Sequence, residues 1–349
     1  MNLENFKPNL IPNSPKDGSF DINETVMKHG GYENYFITMK KDGCRLQLID
    51  GEVLTRALKK PKSKHVIERF TPLARICKKL NITLDGEFYQ PGLDFGQIYR
   101  FFSKEDVTTD SYKKSLAKEL SKSPKNFVNK YRTLDLKFLT TFSEGLYFWL
   151  FDGIVLDRPD LIGYEERLSE IMNRLSDVDF KYLETPTKLN VKNKEELYEK
   201  FQQMLDYGFE GLVLTHKDHK YKFGRNTLQE GTLLKMKNDA LEYDGVILDI
   251  VEGTKVKDGV ETTTNELGRS RTSKKKEDRE PSGLAKGFLV EYSDKGTFLV
   301  GLKDFSNNQK RHLLEDKSDY IGKCFRYKAM KPVKDFPRHA YFSEWRDEK

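Results

Sequence analysis

The sequence predicts an α+β protein in two unequal units: antiparallel sheets with amphipathic helices over residues 1–239, then a smaller β-rich unit over 240–349. Three observations predict it. Short runs of β-branched and aromatic residues alternate with Asp-Gly pairs from residue 35 onward. Three segments carry apolar residues at helical spacing. After Asn238-Asp239 the helical texture gives way to strands and glycine turns.

Taken in order, the first 30 residues are polar, contain Pro8, Pro12 and Pro15, and show no sustained periodicity, so they are expected to form a lead-in arm. Tyr35-Phe36-Ile37-Thr38-Met39-Lys40 is expected to be a strand. Asp42-Gly43 is a turn signal, Arg45–Ile49 alternates, Asp50-Gly51 turns again and Val53–Arg56 resumes, which together predict a meander of hairpins. Val66, Phe70, Leu73, Ile76 and Leu80 predict a helix over 63–80. Strands are expected at 83–89, at the aromatic run 146–154, at 210–214 and at 231–237. Helices are expected at 163–176 and 193–207, and the basic stretch 111–137 is expected to be helical with loops. In the second unit, strands are expected at 243–251, 287–292, 297–302 and 324–329, around a polar insertion at about 254–286.

Composition excludes several classes. With 37% hydrophobic and 33% charged residues there is enough apolar material for real cores. No run of 18 apolar residues exists, so no membrane span is expected. The N-terminus lacks a basic region followed by an apolar one, so a soluble intracellular protein that is not secreted is expected. Cys44, Cys77 and Cys324 are widely spaced and form no CxxC pair, which argues against a disulfide framework and a structural zinc site. The net charge of +6 averages basic windows at 56–69, 111–137, 217–237, 269–279 and 323–338 against an acidic remainder. That distribution suits a chain that grips a phosphate backbone on one surface.

The most informative segment is Lys40-Lys41-Asp42-Gly43-Cys44-Arg45, of the form K-x-D-G-x-R, at the end of one strand and the start of the next. A lysine at a strand end is held rigidly and can aim its amine, but attacks only when deprotonated, which cationic neighbours or desolvation favour. Downstream come Leu84-Asp85-Gly86-Glu87, Phe148-Trp149-Leu150-Phe151-Asp152, Glu210-Gly211-Leu212-Val213-Leu214 and Leu233-Leu234-Lys235-Met236-Lys237. Singly, each has an ordinary explanation as a hairpin, a core strand or a wet strand face. In this order and spacing they resemble the motif series of the covalent nucleotidyltransferases, the polynucleotide ligases and mRNA capping enzymes. Lys220-Tyr221-Lys222-Phe223-Gly224-Arg225, Glu230-Gly231 and the tail Pro337-Arg338-His339-Ala340 … Trp345-Arg346 narrow the resemblance to small viral or phage ATP-dependent DNA ligases. It runs from about residue 35 to the end and is weakest over 90–145.

The resemblance implies a nucleotidyltransferase (adenylation) domain followed by an OB-fold β-barrel, which the short strands and glycine turns of the second unit also suit. It implies ATP and Mg²⁺ (or Mn²⁺) as cofactors, nicked duplex DNA as partner, and a role in DNA repair, replication or recombination in the cytoplasm or nucleus of a host cell. Lys40 would attack the α-phosphate of ATP, with Met39 beside it in the nucleotide pocket. Lys235 and Lys237, two apart on a strand and so on one face, would favour the neutral amine and stabilise phosphate oxygens. Glu87 would hold the ribose hydroxyls and, with Glu210, a metal ion; Phe151 would stack on adenine. Asp42 and Arg45 would sit at the 3′ side of the nick and the adenylate phosphate. Arg56 would meet the 5′-phosphate and Arg225 a second phosphate, although both also read as solvated surface arginines. Arg338, Arg346 and Lys349 would close over the pyrophosphate. Arg269, Arg271, Lys274, Lys275 and Lys276 would form a clamp with which a monomer encircles DNA; the plainer reading of that run is a solvated loop. An RNA ligase, a capping guanylyltransferase and an inactive nucleic-acid-binding relative remain open at this point.

Overall fold

Two separate sheets, each backed by helices, build the larger part of the molecule. Strands β2 (Tyr35–Lys40), β8 (Gly211–His216) and β10 (Leu233–Lys237) form an antiparallel sheet in the order β10-β8-β2. Strands β3 (Cys44–Ile49), β4 (Glu52–Thr55), β5 (Ile82–Tyr89), β6 (Tyr147–Val155) and β7 (Leu183–Glu184) form a second sheet in the order β4-β3-β5-β6-β7. The structure, a computed structural model, describes residues 6–13, 20–90, 93, 95–103, 105, 147–237, 241–264, 267–268, 270–292, 296–333 and 336–346. The basic stretch 111–137, Arg269 and Lys349 lie outside the described residues.

One expected hairpin is not formed. β2 and β3 do not pair with each other: Lys41, Asp42 and Gly43 carry the chain from the three-stranded sheet into the five-stranded one. Gly43 is needed there for close approach, since a Cβ would lie 2.4 Å from the Phe88 carbonyl oxygen. The second Asp-Gly pair does turn a hairpin, β3–β4, with Asp50 and Gly51 at φ of 50° and 81°.

Helix α2 (Lys64–Lys79) matches the apolar spacing. Ser63 caps it by accepting from the Val66 N–H at 3.3 Å, and Val66, Phe70, Leu73 and Cys77 pack onto the five-stranded sheet with residues of α4 (Tyr164–Leu175). Helices α1 (Ile22–Lys28) and α5 (Lys194–Asp206) cover the other sheet: Ile22, Val26, Leu197 and Met204 meet Ile37, Leu212, Leu214 and Leu234. α3 spans Phe95–Ser103. The N-terminal segment is more than an arm. It contributes α1, and β1 (Asn9–Leu10) pairs in parallel with β9 (Gly224–Arg225), while Phe6 packs with Ile49 and Ile154 beside Tyr221 and Phe223.

Backbone contacts divide the chain into two units, Met1–Asn238 and Asp239–Lys349. In the second, the expected strand 243–251 is two strands, β11 (Leu241–Val246) and β12 (Asp249–Val256), which pair with different partners. β15 (Arg279–Glu291), β16 (Thr297–Gly301), β17 (Cys324–Val333) and β18 (Phe336–Trp345) complete a six-stranded sheet in the order β11-β17-β18-β16-β15-β12. No pairing among the described residues closes it into a barrel. The insertion is shorter than its composition suggests, because β12 and β15 extend into it. Between them lies the small hairpin β13 (Thr263–Thr264)–β14 (Ser270–Arg271). Two helices unexpected from the sequence follow β16: α6 (Asn307–Glu315), which opens with a capping box of Ser306 and Gln309, and the short α7 (Lys317–Tyr320). Among the described residues no helix is long and apolar enough to cross a membrane.

Candidate active site

A cavity of about 900 Å³ opens where the chain crosses from one sheet to the other. Register explains what the three-stranded sheet presents to it. Lys40 and Lys237 both sit opposite Gly211, and Thr38 and Lys235 both sit opposite Val213. Opposed residues share a face, so Thr38, Lys40, Val213, Thr215, Leu233 and Lys235 line the cavity. The other face carries Ile37, Leu212, Leu214 and Leu234 into the core. Met39 borders the cavity, but its side chain packs on that core. Gly211 makes the tight pairing possible: it sits at φ 149°, and a Cβ would meet the Met236 carbonyl oxygen at 2.1 Å.

The five-stranded sheet supplies the facing wall: Cys44, Arg45, Glu87, Trp149, Phe151 and Asp152. Asp85 engages the Arg45 fork through both carboxylate oxygens, and the Tyr221 hydroxyl donates to Asp85 at 2.6 Å. The Arg45 guanidinium lies 5.0 Å from the centre of the Phe151 ring. Behind it, Arg167 donates to both oxygens of the buried Asp152 at 3.0 and 3.1 Å, and also to the Ile162 and His219 carbonyls. These buried charges are paired and hydrogen-bonded, which is the condition for tolerating them. Asp85, Tyr221 and Arg167 do not stand out in the sequence as site residues, because only the fold brings them together; Asp85-Gly86-Glu87 is the nearest signal.

Lys40 is held by Glu210 twice. Its ammonium donates to the Glu210 carboxylate, and its carbonyl accepts from the Glu210 N–H at 2.9 Å. Burial pushes the Lys235 ammonium down to about 8, and the charges of Lys237, Lys40 and Arg225 push the same way. Burial raises the Glu87 carboxyl to about 7 against the pull of Lys40 and Arg45, with Glu210 and Asp85 adding repulsion. Among the described residues no cluster of three or more metal-ligating side chains occurs. The two carboxylates Glu87 and Glu210, close enough to repel one another, fit a hard cation that keeps several waters and shares substrate phosphates.

Of the remaining expected site residues, Arg56 follows β4, is exposed and lines the cavity. Arg225 lines it too, with its guanidinium donating to the Ile11 carbonyl at 2.9 Å and to Asn13 at 3.1 Å. Asp42 lies in the sheet crossing, and Lys237 is exposed at the end of β10. Arg338 and Arg346 belong to the second unit. Arg338 lies on β18, and Arg346 pairs with Asp244 at 3.1 Å. Arg271, Lys274, Lys275 and Lys276 are exposed in the insertion. Arg279 braces that segment, donating to the Thr254 hydroxyl and carbonyl at 2.8 and 2.7 Å and to the Ser273 carbonyl at 3.1 Å.

A family model described as ATP dependent DNA ligase domain matches residues 18–237. No curated protein sequence matches the chain. Among solved structures, the chain is similar to a Lig E DNA ligase at 19% identity and a TM-score of 0.59, covering 97% of this chain and 99% of that one. It also aligns with the Chlorella virus DNA ligase-adenylate at 21% identity over 99% of each chain, but the TM-score is 0.46. The first likeness supports the fold and the second adds no argument to it. With the family model spanning more than half of its length, the chain belongs to the ATP-dependent DNA ligase family.

Proposed function

We propose that this member of the ATP-dependent DNA ligase family seals nicks in duplex DNA through three displacements at phosphorus in the cavity at Lys40. First the Lys40 amine, after losing its proton, forms a bond to the α-phosphorus of ATP as the bond to the bridging oxygen breaks and pyrophosphate leaves. The adenylyl group then passes to the 5′-phosphate at a nick, freeing Lys40. Finally the neighbouring 3′-hydroxyl attacks that phosphorus, loses its proton, and AMP leaves. The observation that carries the reading is convergence. Lys40 and Lys235 on one sheet, and Glu87, Phe151 and Arg45 on the other, border one cavity although they are far apart in the chain.

The division of tasks follows from the chemistry of the walls. Lys235 and Lys237 neutralise charge on the phosphate oxygens, where preorganised cations count most. Glu87 accepts hydrogen bonds from the ribose hydroxyls, and Phe151 offers its ring to the base. Glu87 and Glu210 are the residues that would hold Mg²⁺ (or Mn²⁺). When bound, the ion would neutralise phosphate charge and favour an uncharged Lys40. Arg56 and Arg225, which border the cavity, would contact phosphates, with Asp42 and Arg45 toward the 3′ side of the nick. The cations Arg271, Lys274, Lys275 and Lys276 suit a DNA backbone, and with Arg269 they form the clamp by which a monomer would encircle its substrate. By the family resemblance, Arg338 and Arg346 would serve the first step as contacts to pyrophosphate.

The test is incubation of the protein with α-labelled ATP and a divalent cation. Label that survives denaturation and is discharged by nicked duplex DNA, with sealed product appearing, is the expected result. Label from GTP alone would indicate capping chemistry, discharge only by RNA would indicate an RNA ligase, and the absence of label would indicate an inactive relative.

A further inference from the structure

Lys41 occupies the variable position of K-x-D-G-x-R, so nothing in the motif gives it a task. Its surroundings are specific. Its ammonium lies 4.2 Å from the ring centres of Trp149 and Phe209 and 4.7 Å from that of Tyr89. Tyr89 and Trp149 belong to the five-stranded sheet, on β5 and β6, whereas Phe209 lies just before β8 of the other sheet. A lysine that crosses the seam between two sheets and ends among three aromatic faces is a clasp, because each ring face attracts the cation and burial strengthens the attraction. The clasp closes next to the nucleophile. Phe209 precedes Glu210, which accepts the Lys40 ammonium and donates its N–H to the Lys40 carbonyl. Residues 40–41 therefore grip residues 209–210 by an ion pair, a backbone hydrogen bond and a cation–π contact.

We propose that Lys41 is a positioning residue for nucleotidyl transfer: its ammonium, enclosed by Tyr89, Trp149 and Phe209, fixes the Phe209–Glu210 segment and thereby aims Lys40 across the seam. The inference rests on adenylylation of Lys40 as proposed above. Lys41 borders the cavity, but its ammonium is turned to the three rings, so its loss is expected to act on the rate of transfer more than on ATP binding.

The experiment compares single-turnover adenylylation of the full chain with Lys41→Met, which keeps the length and apolar character of the side chain, and Lys41→Arg, which keeps the cation. Lys41→Met is expected to be about tenfold slower at saturating ATP with its half-saturating ATP concentration within about twofold of the parent, and Lys41→Arg to recover most of the rate. Phe209→Leu, which removes one ring face while keeping an apolar side chain, is expected to slow transfer in the same way and serves if Lys41→Met does not fold. Rates within about twofold of the parent for every folded variant, a fall in ATP affinity instead of rate, or no recovery with Lys41→Arg would each overturn the inference. Failure of the parent itself to take up label would instead overturn the reading of Lys40 and is read directly from the unsubstituted control.

Discussion

The two sheets that meet at Lys40 present opposite chemistry to the same cavity. On the cavity face of the three-stranded sheet the titratable side chains are lysines, Lys40, Lys235 and Lys237, set in adjacent rows by their shared register with β8. The five-stranded sheet presents the Glu87 carboxyl, an Asp152 carboxyl already matched by Arg167, an arginine already matched by Asp85, and aromatic rings. One wall suits phosphate and the other suits a nucleoside. The difference teaches that the cavity is assembled at a seam: Lys40, the proposed nucleophile, is the last residue of one strand, and Gly43 then brings the chain into contact with the other sheet.

The strongest way to break this contrast is at Lys40, the proposed nucleophile. Lys40→Ala is expected to take up no denaturation-stable label from ATP while still sealing nicks that already carry an adenylate. Next in size is Asp85→Asn, which leaves the Arg45 guanidinium buried without its counter-charge. Removal of one partner from such a pair is expected to cost about 3–5 kcal/mol of stability, measured by denaturant titration. Lys235→Ala removes a preorganised cation from the phosphate wall and should lower the rate of adenylylation about 10²–10³-fold, with a smaller change in ATP affinity. An equal loss in Lys235→Ala and Glu87→Gln of rate alone, or of affinity alone, would erase the distinction between the walls.

Glu87→Gln sharpens the contrast through its pH dependence. The carboxyl lies near 7 in the folded chain against an ordinary value of 4.5. The folded state therefore keeps a proton that the unfolded state releases between those values, and stability falls as pH rises through that window. Above about pH 7 the full penalty is present, and below about 4.5 it is absent. Glu87→Gln should thus raise the melting temperature relative to the parent at about pH 8, with the gain shrinking toward about pH 5, while weakening ATP binding. The smallest expected effect lies in the second unit. Replacing Lys274, Lys275 and Lys276 by Ala should leave adenylylation unchanged and weaken binding to nicked duplex. The slope of log affinity against log salt should become shallower by about one for each phosphate that the variant no longer neutralises.

Much of this is legible along the chain. Helix α2 follows from Ser63 and its apolar spacing, and Lys40, Glu87, Phe151 and Lys235 follow from segments whose order is informative even though each alone is ordinary. The differences between expectation and structure share a physical origin. Asp-Gly at 42–43 and at 50–51 looks alike in sequence, yet one pair supplies positive φ for a hairpin and the other a missing Cβ for close approach. The roles of Asp85, Tyr221 and Arg167 depend on contacts between residues distant in the chain, which periodicity does not reveal. The N-terminal segment has no sustained periodicity because it adds a short parallel strand, one short helix and a buried phenylalanine, not a long amphipathic face. α6 does carry a signal, Ser306 three residues before Gln309, but it lies in a polar stretch that buries little more than Leu313.

The central claim is that the amine at the seam carries the nucleotide. Peptide mapping of the protein after incubation with ATP and Mg²⁺ tests it most directly. The account predicts an AMP group on Lys40 alone, absent from Lys40→Ala and removed by nicked duplex DNA. AMP on another lysine, or label that persists in Lys40→Ala, would contradict it.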